Sequence, residues 1–404
     1  MNDPPILNHP ILGEIVVLGK IARGGYASIW NAYCVEMKTH VCLKIDEKRK
    51  AETENEFRMM KLLNHPLTCQ FYGEFKSGDN VGAVLEFIEG STILDFINKN
   101  GVIKENYARY LFAELVSIIQ HLHCELGMIH QDLKCENIII DTHNNLHLID
   151  FGFAHLDSDN LPLSYSGFGT PGYIPPEVIK GNRYTFSSDI FSIGVLLYSM
   201  LVGRLPFSGT NSAEIFHHTV TDPVNYPETI SDDVIDLLDS LLDKDPIKRP
   251  NISQILLHNW LNPIIRGIKL IPSFEGLRKL DKYPDGKLDQ EVLNLFNDYG
   301  YSVENLLYDI NHHIDTKLVA YYLFLRNIQI SNQLSNIQIT LFIHQSSHSP
   351  KSTREGLSKS TPGFEHQNQA KIVQPNLSLK IKNQAPQIIQ PNAVRKPNIP
   401  KAKK

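Results

Sequence analysis

The chain has 404 residues, of which 42% are hydrophobic and 9% aromatic, so it holds enough apolar material to bury a sizeable core. Its formal net charge of -5 is uneven, because from Ser346 onward eleven Lys and Arg stand against two Glu; the acidic body offers no broad cationic footprint for nucleic acid. Five cysteines, Cys34, Cys42, Cys69, Cys124 and Cys135, form no CxxC pair, which argues against a disulfide framework or a structural zinc site and for reduced thiols.

The opening MNDPPILNHP has no basic segment followed by an apolar run, and the most apolar later stretch, Ile193 to Gly203, is far shorter than a membrane span. The expectation is a soluble protein of the cytoplasm, with the nucleus as a second compartment and no transmembrane segment. From about Glu14 to about Gly101, short β-branched runs broken by Gly surround one charged helical stretch, Ala51 to Leu63, which reads as a small β-rich lobe. Beyond it helical periodicity dominates. Tyr107 to Cys124 places Tyr110, Leu111, Leu115, Ile118, Ile119 and Leu122 on one broad face, and two strand-like runs, Ile138 to Ile140 and Leu146 to Ile149, flank the turn formers Asp141, Asn144 and Asn145.

After Trp260 a linker rich in Pro, Gly and Lys leads to an apolar stretch from Leu288 to Arg326, read as three short helices. Ser302 and Asp315 suit helix caps, Gly300 a turn, and Leu293, Phe296, Leu306, Ile310, Leu318 and Leu323 a small core. So short a module buries little surface alone, so docking against the rest of the chain is expected. The segment from about Ser346 is rich in Gln, Asn, Ser, Pro and Lys and poor in aromatics, and it is expected to stay disordered.

Four local motifs carry chemistry. Ile21 to Ile29, IARGGYASI, lies between two predicted strands where a hairpin could fold over phosphates. VCLK ends at Lys44 on a strand-like run. NEFRMMKLLNHP supplies Glu56 on a helix as a carboxylate for Lys44, with Glu52 and Glu54 as rivals. MIHQDLKCENIII, Met128 to Ile140, is followed by LIDFGFA, Leu148 to Ala154, and together they offer Asp132, Asn137 and Asp150 as oxygen donors of the kind hard Mg²⁺ prefers. Any one of these could be structural; their order along the chain is what points to phosphoryl transfer.

Taken together, the motifs resemble those of eukaryotic serine/threonine protein kinases over about residues 14–261. The resemblance implies an α+β, two-lobed protein kinase fold with a small β-rich N-lobe and a larger helical C-lobe. It implies that ATP and Mg²⁺ are used to phosphorylate protein substrates, with Asp132 as base, Lys134 steadying the transferring phosphate, and Asn137 and Asp150 on the metal. Lys44 would hold the α and β phosphates, with Glu56 as its carboxylate partner; Ala22, Gly24 and Gly25 would cover them. For the nucleotide base it implies Ile21, Ile29, Cys42, Leu85 and Ile139 as apolar lining, with backbone groups of Glu86 and Ile88 as hydrogen-bond partners. Glu177 would pair with Arg249, and Asp189 would brace the loop that bears Asp132.

Three departures stand out. Ala22 and Ala27 replace the outer glycines of the phosphate loop, and each Cβ restricts positive φ and close approach. Gln131 replaces the arginine ahead of the catalytic Asp, and a neutral amide cannot pair with a phosphate on the activation segment. Activity is therefore expected to depend little on Ser166, the matching phosphosite beside Ser164 and Tyr165, with His155 the titratable group aimed at it. Thr92 stands where an acidic residue often selects substrate arginine, which leaves Glu136. The alternative is a catalytically weak or dead scaffold of the same fold.

Residues 289–326 look like the small ubiquitin-associated-like domain that follows the catalytic domain of AMP-activated-kinase-related kinases, in the calmodulin-dependent-kinase group. A linker over 262–288 would precede it and a disordered basic tail over 346–404 would follow, and regulatory proteins are expected to act through the module. His312, His313, His121 and His123 lack companions at a recognised zinc spacing and read as structural.

Overall fold

The structure is a computed structural model that describes residues 6–23, 27–46, 50–77, 80–159, 169–261, 287–298 and 303–330, apart from 313, 315, 316 and 318. Gly24, Gly25, Ser164, Tyr165, Ser166, Gly300, Ser302, His313, Asp315, Leu318, nearly all of the expected linker and the expected tail lie outside the described residues.

The N-terminal part is a six-stranded antiparallel sheet built from β1 (Ile6–His9), β2 (Gly13–Arg23), β3 (Ala27–Cys34), β4 (Thr39–Asp46), β5 (Phe71–Ser77) and β6 (Asn80–Glu86), in the order β1-β2-β3-β4-β6-β5. One helix, α1 (Lys50–Leu62), interrupts it. Strand alternation sorts β4 between two faces. Cys42 and Lys44 stand opposite Leu85 and Ala83 of β6, and Lys44 also pairs with Ile29 of β3; these side chains share the face toward the helical lobe. Val41 and Leu43 take the other face with Ala32 and Val84.

That second face is covered by the C-terminal helices. These are α9 (Gln290–Asp298), α10 (Leu306–Asn311) and α11 (residues 319–330), and their Val292, Phe296, Leu306, Ile310, Tyr322 and Leu323 join Val41, Leu43, Tyr72 and Val84 in one apolar cluster. Leu293 packs at its margin, only partly buried. The expected small core of the module is thus shared with the sheet, and the last helix runs four residues past Arg326 to Ile330, which is buried in the main core.

The helical lobe is built on α2 (Ile93–Asn100), α3 (Glu105–Gln120), α4 (Pro176–Ile179), α5 (Phe186–Val202), α6 (Ser212–Thr221), α7 (Asp232–Leu241) and α8 (Ile252–Leu256). α5 is buried almost all round, as its largely apolar sequence dictates, and it stops at Gly203, whose φ of 74° is the left-handed cap geometry. A Cβ at Gly194 would lie 2.8 Å from the Leu241 side chain, so glycine is what lets α5 and α7 pack closely. The helix expected from Tyr107 to Cys124 is narrower: α3 ends at Gln120 and the next turn, His121–Glu125, widens to i→i+5 bonding, with His121 held by Glu125 at 2.9 Å.

Short strands line the junction of the lobes. β7 (Gly90–Thr92), β9 (Ile138–Asp141) and β10 (Leu146–Leu148) form one small sheet, and β8 (Met128–Ile129) pairs with β11 (His155–Leu156). The loop after α1 is stitched to β10 by Cys69 N–H to Leu148 O and Leu148 N–H to Leu67 O, both 3.0 Å. The two expected motif loops therefore emerge from strand ends tied to both lobes.

Candidate active site

Lys44 reaches across the cleft from β4. Its Nζ donates to Glu56 Oε1 at 2.5 Å and to Asp150 Oδ1 at 2.9 Å. Helix α1 presents Glu56 inward at 4% exposure, while Glu54, two residues away, is exposed; the rivalry among the three glutamates is decided by which helix face meets the sheet. Burial opposes the charge on Lys44, but Asp150 and Glu56 outweigh it and hold the ammonium well above the usual lysine range. Burial likewise opposes the charge on Asp150, yet Lys44 and the Gly152 N–H, 3.1 Å from Oδ1, keep its carboxyl well below the carboxylate range. Glu56 is pushed up by its own burial, against Lys44.

The loop bearing Asp132 is set by α5. Asp189, fully buried, accepts the N–H of His130 at 2.8 Å and of Gln131 at 3.0 Å, and His123 adds a third contact at 2.9 Å. Those bonds accompany a φ of 68° at Gln131, a left-handed backbone that a glutamine adopts only under such constraint. The turn aims Asp132 into a small polar cluster. Its Oδ2 accepts from Lys134 Nζ at 2.6 Å and from Asn137 Nδ2 at 3.0 Å, and its Oδ1 accepts from Thr170 Oγ1 at 3.3 Å. Lys134 also donates to Thr170 Oγ1 at 3.1 Å. Burial raises the Asp132 carboxyl despite the Lys134 charge beside it.

Asn137 spends its amide nitrogen on Asp132, donating to the backbone carbonyl at 2.8 Å as well as to the carboxylate, so its amide oxygen is the atom left for a cation. Asp150 spends Oδ1 on Lys44 and Gly152, which leaves Oδ2. Two hard oxygens on adjacent strand ends suit a small divalent cation that keeps the rest of its shell for phosphate and water.

For the base, Ile29, Cys42 and Leu85 share the cleft face of the sheet, Leu85 buried and Cys42 half-buried, and Ile139 is half-exposed on β9. Burial pushes the Cys42 thiol up to about 11, so it packs as a small apolar group. Ile21 and Ala22 sit at the open end of β2, Ile21 at 53% exposure. The Glu86 N–H is committed to Gln70 O at 2.8 Å, so only its carbonyl remains for a ligand, with half-buried Ile88 two residues on. The Glu86 side chain accepts from Gln70 N–H at 3.0 Å and from Asn327 of α11. Nothing in the sequence marked Asn327 or His123 for these contacts, because each partner lies far along the chain.

Farther down, Glu177 and Arg249 make a two-pronged pair, Nη1 to Oε1 at 2.8 Å and Nη2 to Oε2 at 2.7 Å. Thr92 serves as the N-cap of α2, accepting from Asp95 N–H at 3.0 Å.

A lysine fixed by two carboxylates over a cleft, with an acidic loop below it and a β-rich lobe above a helical one, defines the protein kinase class. Residues 15–261 match the family model described as "Protein kinase domain", and the chain belongs to that family. It is 29% identical over 321 residues to the SNF1-related protein kinase catalytic subunit alpha KIN12 of Arabidopsis thaliana, covering 77% of this chain and 63% of that protein. It is 31% identical over 330 residues to the serine/threonine-protein kinase SIK2 of Gallus gallus, covering 78% and 40%, and 33% identical over 248 residues to SIK1 of Mus musculus, covering 60% and 32%. The chain thus spans less than two thirds of the length of these relatives.

Proposed function

We propose that the chain transfers the γ-phosphoryl group of ATP to serine or threonine hydroxyls of protein substrates. The observation that carries this is the pair of linked clusters, Glu56–Lys44–Asp150 and Lys134–Asp132–Asn137, assembled at one cleft from elements of both lobes. Lys44 binds the α and β phosphates, and Glu56 keeps it aimed. Asp132 orients the attacking hydroxyl and accepts its proton as the oxygen forms the new P–O bond and ADP leaves. Lys134 offsets charge on the transferring group, and Thr170, bonded to both, shapes the floor under the substrate hydroxyl. Asp150 and Asn137 would hold Mg²⁺, which would supply neutralisation of phosphate charge. The serine/threonine class rests on Lys134 and on the names of the relatives.

The helices over 289–326 serve as a ubiquitin-associated-like module through which regulatory proteins act; the support is the apolar cluster it shares with the sheet that carries Lys44. Five free thiols fit a reducing compartment, the cytoplasm first and the nucleus second. Among the described residues no helix is long and apolar enough to cross a membrane.

The deciding test is ATP with magnesium and a generic protein substrate, wild type against Asp132→Asn. Removing the base should lower kcat by about 10²-fold or more. Equal rates in the two proteins would end the catalytic assignment and leave the scaffold reading.

A further inference from the structure

The turn that follows the Asp150 loop ties the two lobes together. Asp159 accepts from Arg58 of α1, Nη2 to Oδ2 at 2.6 Å and Nη1 to Oδ1 at 3.4 Å, while its Oδ2 also caps Leu156 N–H at 3.2 Å. Two residues earlier, Asp157 accepts from Arg183 Nη2 at 3.3 Å, just ahead of α5 in the helical lobe. Asn55, next to Glu56, donates to the Ala154 carbonyl at 2.8 Å, and Arg58 donates to Asn55 Oδ1 at 3.0 Å. Helix α1 is thereby fastened to the start of the activation segment along the turn of helix that also carries Glu56.

Among the described residues, the groups that flank this segment are neutral or already paired. Gln131, ahead of Asp132, is neutral and buried. The His155 ring is buried, its Nδ1 has no hydrogen-bond partner among the described residues, and burial pushes its titration down, which disfavours the charged form. Arg58 and Arg183 already face carboxylates.

We propose that the Arg58–Asp159 and Arg183–Asp157 pairs, with the Asn55–Ala154 bond, form a built-in clamp that holds α1 where Glu56 meets Lys44, in the place of an activation-segment phosphate. Arg58, Asn55 and Asp159 are positioning residues: they touch neither nucleotide nor reacting hydroxyl and act through Glu56. The proposal rests on the kinase reading for its consequence on rate, but the position of α1 is measurable without turnover. Because Arg58 is half-exposed, each pair shifts the balance between clamped and swung-out α1 by a modest factor, about five-fold at most.

The test uses the full chain and three variants, Arg58→Glu, Asp159→Arg and the double charge swap. Each single variant should lower kcat by about three- to five-fold with the KM for protein substrate unchanged, and should speed amide hydrogen exchange in α1; the swap should recover part of both, short of the Leu156 cap that Asp159 also supplies. In about 1 M salt the gap between wild type and single variants should close. Treatment of the wild type with a protein phosphatase should leave its rate unchanged. Single variants that match the wild type in rate and exchange, or a swap no better than the singles, would overturn the clamp, as would a phosphatase-treated wild type that falls to the level of the singles. A wild type inert toward every substrate would remove the catalytic reading, and exchange in α1 would still decide the clamp.

Discussion

Replacing Arg249 by Met should cost the helical lobe several kcal/mol, and the structure sets the size of the effect. The guanidinium makes two bonds to Glu177, one to the Ser187 carbonyl at 2.9 Å and one from Nε to the Asp243 carbonyl at 2.9 Å, and it lies 4.9 Å from the Phe191 ring. Both partners are buried, Arg249 at 6% and Glu177 at 7% exposure. Methionine fills much of the volume but leaves the Glu177 carboxylate with the Ser188 hydroxyl, 3.0 Å away, as its remaining side-chain donor among the described residues. Breaking one side of a buried pair costs about 3–5 kcal/mol, mostly as the penalty of a stranded charge. For a domain of this size each kcal/mol moves the midpoint by about 2–4 °C, so Tm should fall by roughly 10 °C in a scanning calorimeter. Adding Glu177→Leu should recover most of that loss, because it removes the stranded carboxylate. A single variant within about 2 °C of wild type, or a double variant as unstable as the single, would refute the reasoning.

The rate of phosphoryl transfer should fall at acid pH above the usual aspartate range. Asp132 must be unprotonated to take the hydroxyl proton, and burial raises its carboxyl, so activity is full above the raised value and lost as pH falls through it. A pH profile of kcat/KM with its acid limb at or below the ordinary aspartate value would contradict this. Phe296→Ala should destabilise the chain by about 3 kcal/mol, since the ring is buried between Tyr322 and the back of the sheet; an unchanged melting curve would show that the C-terminal helices do not pack there. Ser166→Ala should keep its rate within about two-fold of wild type, because Gln131 offers no charge to a phosphate there, and near-complete loss of activity would show that the segment needs its phosphate after all.

What the sequence made legible was local. MIHQDLKCEN and IDFG each fit within one loop, and the chemistry of Asp132, Asn137 and Asp150 follows from residue type and short spacing. Glu56 was harder: three glutamates lie within five residues, and only the contact of α1 with β4 chooses among them. Long-range partners were not legible. His123 meets Asp189 across 66 residues, Arg58 meets Asp159 across 101, and Asn327 meets Glu86 across 241; no periodicity carries such information, because these side chains belong to different elements and meet only once both lobes are packed. The C-terminal helices show the same limit from the other side. Their apolar spacing signalled a core, but a helix face does not announce what it will cover, and here it covers the outer face of the sheet.

The charges in the cleft also explain why its parts depend on one another. Asp132, Asp150 and Glu56 set three carboxylates against the two ammonium groups of Lys44 and Lys134, all more than half-buried, so the arrangement carries residual negative charge in a poor solvent for it. Proximity to Asp150 raises Asp132 further, after burial itself, which is the direction expected of carboxylates short of a counter-ion. A divalent cation held by Asp150 and Asn137 would answer that deficit, whereas a neutral ligand would not. The same accounting makes Lys44 the member least replaceable: among the described residues it is the one cation contacting both Glu56 and Asp150, so Lys44→Met would strand two carboxylates at once and would disturb the seating of α1 as well as the binding of phosphate.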